Sequence, residues 1–64
     1  LPVLYIAPTR DYPALQHARP EMVAALPAHP LTRVLTPEAT HAGAPDASAE
    51  PILAWLREVM AAAL

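Results

Sequence analysis

Two short apolar runs constrain the fold more than any other feature of the chain. Residues 1 to 7 (Leu-Pro-Val-Leu-Tyr-Ile-Ala) are apolar almost without a break and carry the β-formers Val3, Tyr5 and Ile6. Residues 31 to 36 (Leu-Thr-Arg-Val-Leu-Thr) form the second run. A run that does not alternate between apolar and polar fits a strand covered on both faces, as in a parallel α/β sheet. Pro2 and Pro8 flank the first run and argue against a short buried helix there.

The segments around these runs read as a β-α-β-α order. Residues 8 to 13 hold two prolines and an aspartate, which predicts a loop. Leu15, Ala18, Met22 and Leu26 have helical spacing, but Pro20 interrupts them. The expectation is a short turn or irregular helix over residues 14 to 18, then a helix from about Pro20 to Leu26 with Glu21 in its first turn. Residues 37 to 47 read as a loop around the only glycine, Gly43. A last helix follows, capped by Asp46 or Ser48, with Ile52, Leu56, Val59, Met60 and Ala63 along its inner face. No repeat or linker divides residues 1 to 64, so the chain is a single α/β segment.

Two parallel strands are a poor sheet alone, because their faces and edges all need cover. At 64 residues with no cysteine, the chain has little core and no disulfide to compensate. Its hydrophobic fraction of 55% is rich in alanine, which buries little area per residue. The expectation is that further sheet lies in another chain or portion, this one being a cleaved product, a fragment or a trimmed piece. A net charge of −2 with four basic residues argues against nucleic-acid binding. No apolar stretch is long enough to span a membrane, and no signal-peptide pattern precedes Leu1. The lack of cysteine suits either side of a membrane, with the cytoplasm slightly favoured.

Asp11 and His41 are the candidate site. Each follows one of the two strand-like runs, and parallel strands ending on the same sheet edge bring such residues together. A carboxylate beside an imidazole is the orienting half of a nucleophile–base–acid arrangement. An imidazole can take and return a proton near neutrality. The alternatives are a turn-forming aspartate and a surface loop histidine. His17 and His29 have no comparable context, and the three histidines form no metal-binding cluster. No nucleophile is evident: Ser48 is the only serine, and no Gly-x-Ser-x-Gly elbow exists. One glycine rules out a phosphate-cradling loop, and no cofactor site is indicated.

The segment Pro2-Val3-Leu4-Tyr5-Ile6-Ala7-Pro8-Thr9-Arg10-Asp11 resembles the strand that carries the triad acid in the α/β-hydrolase family. Ala24-Ala25-Leu26-Pro27 is similar to the end of the family's next helix. Leu35 through Ala42 resembles its histidine loop, and Leu53-Ala54-Trp55-Leu56 its closing helix. Pro8 and Glu38 stand where the family commonly has glycine. The resemblance covers the whole chain but only the C-terminal portion of such an enzyme. It implies Asp11 as triad acid and His41 as general base of a serine hydrolase acting on a small-molecule acyl substrate, a carboxylic ester or thioester. It further implies that the nucleophile lies in an N-terminal portion, so that activity requires the assembled whole. The alternative is a non-catalytic segment that docks through its C-terminal amphipathic helix.

Overall fold

The computed structural model describes residues 1–63. Its elements run β1 (Leu4–Ile6), α1 (Pro13–Ala24), β2 (Arg33–Leu35) and α2 (Ala44–Ala63). The two strands form a small parallel sheet in which Leu4 pairs with Arg33, Tyr5 with Val34 and Ile6 with Leu35. This is an α/β pattern with an incomplete sheet. Both strands are shorter than their apolar runs, and prolines show why. Residue 37 is where a parallel ladder would next return an N–H to β1, and Pro37 has none.

The two segments nevertheless stay paired beyond the strands. Ala7 N–H donates to Leu35 O at 2.8 Å, Thr9 N–H to Pro37 O at 2.9 Å and Arg10 N–H to Ala39 O at 3.0 Å. An isolated parallel bridge joins Arg10 to Thr40. The expected loop over residues 8 to 13 is therefore corrected: its first half lies along the sheet. Pro8 fits because its neighbours Ala7 and Thr9 make the donations, so its missing N–H falls where none is used.

Helix α1 is also corrected, being one helix rather than two pieces. It starts at Pro13, whose fixed φ suits the first helical position, and the preceding Tyr12 is extended (φ −60°, ψ 142°) as a residue before proline prefers. Pro20 sits inside it. Proline there costs the bond to the Gln16 carbonyl, but both residues are exposed and water can take that carbonyl. At the other end Ala25 N–H bonds to Glu21 O and Met22 O, and Pro27 follows.

Helix α2 begins earlier than the sequence suggests, at Ala44, with Asp46 in its first turn. The turn just before it is closed by Thr40, whose Oγ1 accepts from Gly43 N–H at 3.2 Å. Ser48 is not a cap. It lies within the helix, 1% exposed, and its Oγ has no hydrogen-bond partner among the described residues. The inner face is rotated from the expected stripe: Ile52, Trp55 and Val59 are half-buried, whereas Leu56 and Met60 face outward. Trp55 Nε1–H sets this rotation by donating to Leu31 O in the turn before β2.

Neighbouring residues on β1 serve different helices. The Tyr5 hydroxyl approaches Met22 Sδ of α1 at 3.6 Å, while Ile6 shares a wall with Ala44 and Ile52 of α2. Successive strand residues point to opposite faces, so the helices cover opposite sides of β1. The cover is thin, because the buried apolar residues among those described are Ala7, Pro8, Ala39 and Ala44, all of them small. The accessible surface is 4663 Å², against roughly 4,000 Å² for a folded monomer of this mass. Val3, Val34, Leu53 and Leu56 are among the exposed apolar side chains.

Two substitutions test this description by urea unfolding. Replacing Pro20 with alanine restores the α1 bond and is expected to stabilise the chain by about 1–2 kcal/mol; no gain contradicts a continuous α1. Ser48→Ala removes an unpaired buried hydroxyl and is expected to stabilise by about 1 kcal/mol; a loss of stability means that the hydroxyl has a partner.

Candidate functional site

The site is assembled by backbone pairing that continues past the sheet. From Ile6 to Arg10 the first segment advances four residues, while its partner advances five, from Leu35 to Thr40. The extra residue lies in the turn around Glu38 and Ala39. Arg10 therefore meets Thr40, and the next residue on each side is Asp11 and His41. The structure brings these two together: His41 Nδ1 lies 2.9 Å from Asp11 Oδ1. A carboxylate only accepts hydrogen bonds, so the ring donates from Nδ1–H. That tautomer leaves the Nε2 lone pair free.

The two partners differ in exposure. The Asp11 side chain is 8% exposed and that of His41 is 53% exposed. Asp11 Oδ1 also accepts from Tyr12 N–H at 2.8 Å, which fixes the carboxylate in place. Gln16 Nε2–H donates to the Asp11 carbonyl. Further back, Arg19 Nη2–H donates to Pro8 O at 2.9 Å, so α1 holds the loop that leads to Asp11. On the other segment, the turn at His41 passes directly into α2 through Ala44 N–H to His41 O and Ala47 N–H to Gly43 O.

Asp11 and His41 border an open depression of about 310 Å³. Its other walls are Ile6, Pro8, Ala44, Pro45 and Ile52, all apolar. An imidazole held by a carboxylate at the rim of an apolar hollow can accept a proton from a hydroxyl placed at Nε2 and later return it. No nucleophile comes with it: Ser48 is buried in α2 and does not border this hollow. His17 is exposed on α1, and His29 accepts from Leu31 N–H at 3.0 Å in the turn before β2. Among the described residues no three His, Asp or Glu side chains gather as a metal site, and no helix is long and apolar enough to cross a membrane.

Three contributors escape a reading of the sequence alone. Tyr12 stacks on the His41 ring, Thr40 closes the turn that carries it, and Arg19 ties down the Asp11 loop. Thr40 had a signal, a hydroxyl three residues before the only glycine, as a side-chain-closed turn requires. Tyr12 and Arg19 had none, because their contacts depend on how α1 meets the loop.

No family model matches the chain, and neither a curated protein nor a solved structure matches it. The resemblance to α/β-hydrolases therefore rests on the motifs of the sequence alone.

The double acceptance at Asp11 Oδ1 gives a direct prediction. Asp11→Ala deserts both Tyr12 N–H and the imidazole and is expected to cost about 1–3 kcal/mol in urea unfolding. Asp11→Asn keeps an oxygen for both and should lose less than about 1 kcal/mol. Equal losses in the two variants contradict the hydrogen-bonding role.

Proposed function

We propose that the chain supplies the acid and base of an α/β-hydrolase triad. The observation that carries this reading is the 2.9 Å contact between a buried aspartate and an open histidine just past two parallel strands. In this reading a serine from a nucleophile-bearing portion of the enzyme, separate from residues 1 to 64, approaches His41 Nε2. The imidazole accepts the serine proton as the hydroxyl attacks the acyl carbon of an ester or thioester. It then returns the proton to the leaving group, and water repeats the cycle on the acyl-enzyme. Asp11 keeps the ring in the Nδ1–H tautomer and stabilises the imidazolium. The apolar walls of the depression suit a hydrophobic substituent on the substrate.

The incomplete sheet supports the same reading. Roughly 700 Å² of surface beyond that of a typical monomer is close to the ~800 Å² that each partner buries in a standard interface. The nucleophile-bearing portion would cover it.

A second reading has its own support. Leu53, Leu56 and Met60 form an exposed apolar stripe on the outer side of α2. Such a stripe suits a docking segment with no catalytic part.

Ester hydrolysis by the assembled enzyme separates the two. His41→Ala is expected to lower kcat by at least roughly 10⁴-fold. Turnover close to that of the parent would sink the triad assignment and favour the docking segment.

A further inference from the structure

We propose that Tyr12 is a positioning residue for the His41 imidazole. Its catalytic consequence rests on the triad reading above; the stacking itself does not. The two rings lie with centroids 4.9 Å apart and planes 26° apart. This is within the range of an offset aromatic stack.

The stack supplies a restraint that the hydrogen bond lacks. The bond from Nδ1–H to Asp11 fixes one edge of the ring and leaves rotation about the N–H···O line free. With its side chain 53% exposed, His41 has little packing to stop that rotation. An aromatic face against the imidazole stops it, because turning the ring breaks the stack. Edge and face together hold Nε2 in one direction.

Tyr12 is itself held in place. Its N–H donates to Asp11 Oδ1, and its carbonyl accepts from Leu15 N–H and Gln16 N–H, both at 3.0 Å. Pro13 restricts its backbone to the extended form observed. One residue thus touches both members of the pair, the carboxylate through its amide and the imidazole through its ring. At 60% exposure, burial gives the ring little reason to lie there. The stack uses the ring face and not the hydroxyl, so phenylalanine should serve as well.

The test compares Tyr12→Leu, which keeps bulk without an aromatic face, with Tyr12→Phe. NMR spectra of the full chain at pH about 8.5, where an ordinary imidazole is neutral, read the His41 ring protons and nitrogens. The parent and Tyr12→Phe should show ring protons shifted upfield by the neighbouring ring and a dominant Nδ1–H tautomer. Tyr12→Leu should move the protons to the values of free histidine while Asp11 still holds the Nδ1–H tautomer. Parent-like ring-proton shifts in Tyr12→Leu overturn the proposal, whatever the enzyme does. In the assembled enzyme, Tyr12→Leu should lower kcat about five-fold at unchanged KM, with Tyr12→Phe restoring it. Parent-like kcat in Tyr12→Leu overturns the positioning role. If His41→Ala itself leaves turnover intact, the triad reading falls and the catalytic part of this proposal falls with it, while the imidazole spectra still decide the stack.

Discussion

Parallel pairing between the first and third elements is the interaction on which the rest of the structure depends. It starts with Arg33 N–H on Val3 O and runs, rung by rung, to Arg10 N–H on Ala39 O. Everything at the site inherits its position from that register. A slip of one residue would place Asp11 against Thr40 or Ala42 and turn the side chains to the opposite face. Pairing continues through a proline-rich stretch because Pro8 falls where no N–H is needed and Pro37 contributes its carbonyl. The extra residue in the second segment then places His41, and not its neighbour, opposite the carboxylate.

The sequence carries the element order because the two apolar runs and the helical spacings are local signals. It carries the proximity of Asp11 and His41 because both follow strands of one parallel pair. Other features needed tertiary information. Pro20 reads as a break, yet α1 passes through it because water is available to the Gln16 carbonyl. Ser48 reads as a cap because nothing local shows that the helix has already started at Ala44. The inner face of α2 cannot be read locally because apolar residues encircle the helix, and the Trp55 bond to Leu31 O selects among them. The part of Tyr12 depends on where α1 starts, which Pro13 sets and the spacing of apolar residues does not.

The burial pattern links the fold to the proposed activity. Only small side chains are fully buried, and large ones such as Val34, Leu53 and Met60 face out. The single cross-element ion pair among the described residues, Arg33 with Glu58 at 3.8 Å, is exposed and adds little. Stability of the isolated chain is then small. The best-defined polar geometry sits at one end of the sheet, where backbone bonds, the Arg19 tie and the Thr40 turn converge. An imidazole held by a carboxylate, with no nucleophile beside it, is what the proposal requires of a chain whose sheet and triad would be completed together by one further portion.

Labelling with a serine-directed fluorophosphonate, read by intact mass on the native material, tests this most directly. The account predicts an adduct on a serine outside residues 1 to 64, formed at the parent rate only while His41 is intact and strongly slowed in His41→Ala. No adduct, or one whose rate ignores His41, would contradict it.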